Sequence, residues 1–144
     1  VSAHRLQIKA RFSELDPYNH VNHAVYVSWF EAGRTEALDA VGLGLHVLAE
    51  QGWQVVVAEL NVRFRAPAAA GDTVVVVTEL AELGAVVGVW RQRMHLVGPD
   101  GGDGRLVCEA TVRAGAVGAD GRPRRLPPEV VEQLRALMPE PSVD

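Results

Sequence analysis

Asp16, His20, Asn22 and His23 stand close together in the stretch Asp16-Pro17-Tyr18-Asn19-His20-Val21-Asn22-His23. A carboxylate can serve as nucleophile or general base. Here it sits in a turn just ahead of a helix-forming run, and a helix begins with free backbone N–H groups and a partial positive charge. Those N–H groups can hold an oxyanion. Carboxylate and N–H donor together would support acyl transfer without a serine triad. From the Asp-Pro dipeptide alone, Asp16 is equally a turn former. His20 and His23, spaced i, i+3, could join Asp16 on a metal. No fourth ligand or familiar spacing supports that, so no metal is expected.

Other chemistries find less support. Ser28 lies in no Gly-x-Ser-x-Gly elbow. Neither Gly-x-Gly-x-x-Gly nor a phosphate-binding loop follows a strand, so nucleotide use is not suggested. The single cysteine, Cys108, falls in an alternating apolar segment, which reads as a buried, inert thiol. One cysteine builds no intrachain disulfide, so nothing points to an oxidising compartment.

The elements that must position Asp16 follow from periodicity. Leu6 to Phe12 alternates apolar and polar residues, as a half-buried strand does. His23 to Val41 is rich in helix formers, with Asn22 placed as N-cap and Gly42 and Gly44 as a stop. Val25, Trp29 and Ala32, flanked by Tyr26, Phe30, Gly33 and Ala37, give it a wide apolar surface, so the helix should be wrapped by protein. Leu45 to Gln51 reads as a short helix. From Trp53 the period becomes two: Val56, Ala58, Leu60, Val62 and Phe64 are expected on one face, Glu59, Asn61, Arg63 and Arg65 on the other. Further strands are expected over Thr73–Leu83, Ala85–Val97 and Leu106–Val117, and an amphipathic helix over about 127–138. One wide-faced helix and one antiparallel sheet make an α+β layer architecture.

The length of 144 residues suits a single domain, with its core at about 5–118. Hydrophobic residues at 48% and charged residues at 22% are ordinary for a soluble globular chain, so long disorder is not expected. Lys and Arg number 14 against 18 Asp and Glu, a net charge of −4, which gives no electrostatic footprint for nucleic acid. No apolar run is long enough to span a membrane and no apolar signal region opens the chain; a cytoplasmic location is the expectation.

The Asp16–Arg34 stretch closely resembles the Asp-x-x-x-His-Val-Asn-Asn-x-x-Tyr pattern of hot-dog thioesterases related to 4-hydroxybenzoyl-CoA thioesterase, and Phe30-Glu31-Ala32-Gly33-Arg34 resembles its continuation. Phe64-Arg65-Ala66-Pro67 followed by Gly71-Asp72 is similar to that family's passage between strands. The sequence departs from the pattern at His23, where the family often has Asn. The resemblance implies a hot-dog fold, a long helix wrapped by a curled antiparallel sheet of about five strands, and a hydrolase of acyl-CoA or acyl-carrier-protein thioesters.

By the same resemblance Asp16 is the catalytic carboxylate, acting as nucleophile or as general base, and the His23 backbone N–H is the oxyanion donor, with Asn22 beside it. The expected substrate contacts are His20, Tyr26, Glu59, Asn61, Arg63 and Arg91. Arginines suit the phosphates of coenzyme A; taken alone, each reads first as a surface charge, and Glu59 and Asn61 read first as a solvated or interface face. Coenzyme A would be part of the substrate, and no separate cofactor is expected. A homodimer or homotetramer is implied, with no nucleic acid or membrane partner. The rival reading is a hot-dog protein that binds acyl-CoA without turning it over.

Overall fold

In the computed structural model residues 3–140 are described. The expected loose C-terminal residues lie mostly outside them. The elements in chain order are β1 (His4–Lys9), a 3-10 turn (Phe12–Glu14), α1 (His23–Ala40), α2 (Leu45–Glu50), β2 (Gln54–Phe64), β3 (Thr73–Leu83), β4 (Val87–Val97), β5 (Asp103–Val117), α3 (Pro128–Leu134) and a closing 3-10 turn (Arg135–Leu137). The strands form one antiparallel sheet in the order β1-β3-β4-β5-β2. The expected α+β architecture, five strands and one long helix, is therefore observed. Among the described residues no helix is long and apolar enough to cross a membrane.

α1 lies against β1 and β3. Its wide apolar face buries Tyr26, Trp29, Phe30, Ala37 and Leu38 on Val74, Val76, Leu80, Met94 and Val112 of the sheet. Asn22 caps it, its side chain accepting the Ala24 N–H at 2.9 Å. Gly42 follows the helix at φ 79°, the left-handed conformation that glycine adopts without a Cβ penalty.

Beneath the middle of α1 lies a buried polar cluster. Gln92 Nε2 donates to the Phe30 carbonyl at 2.8 Å and to Thr78 Oγ1 at 2.9 Å. Gln92 Oε1 accepts from Arg34 at 2.9 Å. Burial depresses the pKa of the Arg34 guanidinium, an effect opposed by the nearby Glu31. Helix and sheet approach this closely because Gly33 has no side chain. A Cβ there would stand 2.8 Å from both Thr78 Oγ1 and Val76 Cγ1. Gly33→Ala is therefore expected to destabilise the fold by about 1–3 kcal/mol, the usual cost of overpacking. A thermal melt checks it, at roughly 2–4 °C per kcal/mol; an unchanged Tm would contradict the close approach.

One expectation is corrected in β2. Val57 pairs with Ala114 and Glu59 with Arg113, with a register shift between them, while Leu60 pairs with Val112. Ala114 and Val112 share the α1 side of β5, both belonging to the core. A bulge at Ala58 thus puts Val55 and Val57, rather than Val56 and Ala58, on the face of Leu60, Val62 and Phe64. Strict alternation cannot foresee an inserted residue, which turns every side chain on one side of it to the other face. Glu59, Asn61, Arg63 and Arg65 keep the face assigned to them.

Candidate active site

The stretch between β1 and α1 folds back on itself. Leu15 bridges Val21, and the Asp16 N–H donates to the His20 carbonyl at 2.7 Å. Asn19 turns the chain at φ 63°, a conformation Asn tolerates better than most residues. Inside this small loop Asp16 Oδ1 accepts two backbone N–H groups, Tyr18 at 2.8 Å and His20 at 3.2 Å. Oδ2 accepts no hydrogen bond from the described residues. The carboxylate is thus oriented through one oxygen and open at the other.

Next in the chain is the start of α1. The Asn22 N–H donates to the Glu14 carbonyl at 2.9 Å, while the His23 N–H makes no hydrogen bond among the described residues. The His23 imidazole stands edge-on to Phe64, ring centroids 6.4 Å apart. Phe64 also packs on Tyr26 at 5.8 Å, and Tyr26 on Trp29 at 5.8 Å. Glu14 fastens the loop to the helix: its Oε2 accepts from the Trp29 indole at 3.1 Å and its Oε1 from the Arg11 N–H at 2.8 Å. Glu14, Phe64 and Ala68 were not foreseen at this site. An Ala-Pro-Ala run reads only as a break, and nothing in the spacing of Glu14 marks its partner in α1.

Tyr26 is buried, and its hydroxyl accepts the Ala68 N–H at 2.9 Å. Burial is the largest cause raising its pKa; the Asp16 and Asp72 charges push the same way, and the Ala68 N–H opposes them. Asp16, His20, Asn22, His23 and Tyr26 are therefore gathered around the first turn of α1.

The other expected contacts lie elsewhere. Asn61, Arg63 and Arg91 line a groove of about 350 Å³ with Arg93, Glu109 and Thr111. It is on the face of the sheet turned away from α1, and Glu59 occupies the same face, opposite Arg113. Arg65 bonds Glu109 at 2.7 Å and Arg91 bonds Glu79 at 3.0 Å. The Arg65 hydrogen bond, followed by the charges of Arg65, Arg63 and Arg93, holds the Glu109 carboxyl below its usual range.

Among the described residues no group of three or more His, Cys, Asp or Glu side chains is arranged to hold a metal ion. Cys108 is buried in the core, and burial, its largest influence, pushes its thiol from 9.0 up to about 12. The native protein is expected to resist a thiol reagent at pH 8 and to react fully once unfolded; stoichiometric reaction of the native form would contradict the burial. The linkage has a sign. Above pH 9 the unfolded chain releases this proton while the folded chain keeps it, so stability conferred by the neutral thiol falls as pH rises from 9 toward 12.

The arrangement places an oriented carboxylate beside an unengaged N–H at a helix start, on a helix backed by a five-stranded antiparallel sheet. The family described as the thioesterase-like superfamily matches residues 10–134, and the chain belongs to it. It is similar to the acyl-acyl carrier protein thioesterase ATL2 of Arabidopsis thaliana, 32% identical over 58% of this chain and 44% of that one. It is also similar to the long-chain acyl-CoA thioesterase FadM of Escherichia coli, 28% identical over 74% of this chain and 76% of that one. In fold it resembles the 4-hydroxybenzoyl CoA thioesterase of Pseudomonas sp. strain CBS-3, with a TM-score of 0.83 at 22% identity, over 92% of this chain and 99% of that one. The fold is thus the hot-dog fold. The chain spans less than half the length of the plant relatives it matches.

Proposed function

We propose that this protein hydrolyses acyl thioesters, with Asp16 as the reacting carboxylate and the His23 backbone N–H as oxyanion donor. The observation that carries this reading is the Asp16 carboxylate itself, pinned through Oδ1 with Oδ2 unengaged, next to a helix whose first N–H is unpaired. A thioester carbonyl oxygen received by the His23 N–H would gain charge stabilisation where it develops. Asp16 Oδ2 would then attack the carbonyl carbon and expel the thiolate, giving a mixed anhydride that water cleaves. Alternatively it would take the proton of a water that attacks directly. Both routes balance as thioester plus water giving acid plus thiol.

The substrate class is an acyl thioester of coenzyme A or of a carrier protein, since both present the same pantetheine arm. FadM and ATL2 carry names of the two kinds, and relatedness to both supports either. Arg63 and Arg91 are proposed for the phosphates of coenzyme A. The outer groove supports this: Arg63 and Arg91 line it together with Arg93, Arg63 has no ion pair of its own among the described residues while Arg91 also bonds Glu79, and guanidinium suits phosphate recognition.

The working unit is proposed to be a homodimer, or a tetramer built from two. β2 ends the sheet and leaves one edge unpaired, while Val55, Val57, Leu60 and Phe64 are exposed along it. Natural proteins tend to cover such an edge.

Thiol release from short, medium, long and aromatic acyl-CoAs, and from acyl carrier protein, tests the reading. Hydrolysis of at least one class is expected. Tight binding of acyl-CoA with no turnover of any thioester would replace it with a non-catalytic acyl-CoA binder.

A further inference from the structure

We infer that Tyr26 is a positioning residue for this reaction, acting through the connection between β2 and β3. The inference rests on the function proposed above. β2 and β3 are consecutive in the chain but separated by β5 and β4 in the sheet, so residues 65–72 must cross about 14 Å of sheet at the usual strand spacing. They cross at the end where the Asp16 loop lies, and they bind it.

The central link is one fully buried peptide unit, Ala68. Its carbonyl accepts the Val21 N–H at 2.8 Å, and Val21 is bridged to Leu15, next to Asp16. Its N–H donates to the Tyr26 hydroxyl at 2.9 Å, and Tyr26 lies one helical turn beyond His23. One residue therefore ties the loop that carries the carboxylate to the helix that carries the oxyanion donor. The next residue repeats the tie, with Ala69 bridged to His20. The strap is itself anchored: the Ala69 N–H donates to Asp72 Oδ2 at 2.8 Å, and the Asp72 carbonyl accepts the Ala10 N–H at 2.8 Å.

Removing the Tyr26 hydroxyl leaves the Ala68 N–H without its acceptor in a dry position, so the strap must shift to find another. The carbonyl of the same residue carries that shift to Val21 and the Asp16 loop. Displacements of about 1 Å at reacting atoms can cost as much as about 100-fold in rate.

The test is Tyr26→Phe, read by steady-state kinetics and by amide hydrogen exchange. Expected are a fall in kcat of about 10- to 100-fold, KM within about twofold of the parent, and faster exchange at the Ala68 and Val21 amides. Val130→Ala, in the apolar region packed at the far end of α1, is the control for general loss of stability and should keep the parental kcat. Should Tyr26→Phe fail to fold, Asp72→Ala removes the acceptor of the Ala69 N–H, the other anchor of the strap, and should lower kcat in the same way. A folded Tyr26→Phe protein with parental kcat overturns the inference, as does an equal loss in Val130→Ala. Unchanged exchange at Ala68 and Val21 overturns it whether or not any thioester is turned over, which separates its failure from that of the thioesterase reading.

Discussion

Asp16→Asn is expected to lower kcat by about 10²- to 10⁴-fold, the span typical of losing a positioned acid–base group, while leaving the fold in place. The side-chain amide keeps an oxygen where Oδ1 accepts the Tyr18 and His20 N–H groups, so the loop retains its internal bonds. The nitrogen falls where Oδ2 stood, a position that no described residue engages. What disappears is the lone pair that would attack the thioester carbon or take a proton from water. The stability change should stay within about 0.5 kcal/mol, as for substitutions that break no buried interaction. Thiol release and a thermal melt on the same preparation check both halves. Near-parental turnover by a folded Asp16→Asn protein would remove Asp16 from the reaction and leave the helix N-terminus as the remaining candidate.

The second large effect concerns assembly. The protein is expected to behave in light scattering as a particle of at least twice its 15.5 kDa chain mass. On the α1 side of β2, Val57 is 50% exposed, Leu60 40% and Phe64 52%. These side chains are apolar yet α1 covers them only in part, reaching Phe64 through His23 and Tyr26, because it lies mainly over β1 and β3, toward the opposite edge of the sheet. Pairing β2 with β2 of a second copy would satisfy the free edge and bring the two open faces together. Val57→Asp with Leu60→Asp removes two apolar side chains per copy and sets like charges near the two-fold axis. A cost of at least about 3 kcal/mol, roughly a 100-fold weaker dimer, is expected. Activity should fall with the dimer if Phe64, which touches His23 and Tyr26, needs the joined sheet to hold its place. A parent protein that stays monomeric at micromolar concentration would contradict this.

Much of the fold could be read before any coordinates. The change of period from 3.6 to 2 after Trp53 separates helix from strands, because the two backbones turn side chains at different intervals. Asn22 as cap and Gly42 as stop place α1 to within a residue of His23–Ala40, since capping and left-handed backbone are local demands. The placement of the candidate site was legible too: an Asp in a turn before a helix N-terminus is a local arrangement, and the resemblance of that stretch to one family suggested a chemistry for it.

What depends on distant partners was not legible. The bulge at Ala58 reversed Val55 to Ala58 because a register shift is settled between two strands, not within one. Gln92, mid-strand beside Arg91 and Arg93, gave no sign of lying under α1, and only the closeness permitted by Gly33 brings it to Phe30, Thr78 and Arg34. Local sequence could mark Asp16 and His23 as candidates, but the strap that joins the Asp16 loop to α1 through Ala68 depends on the strand order. The sequence by itself determined which elements form and which residues stand as candidates for the chemistry, because those are properties of short stretches of backbone. The tertiary structure alone decided what holds them in place, because β2 and β3, neighbours in the chain, lie with two strands between them in the sheet.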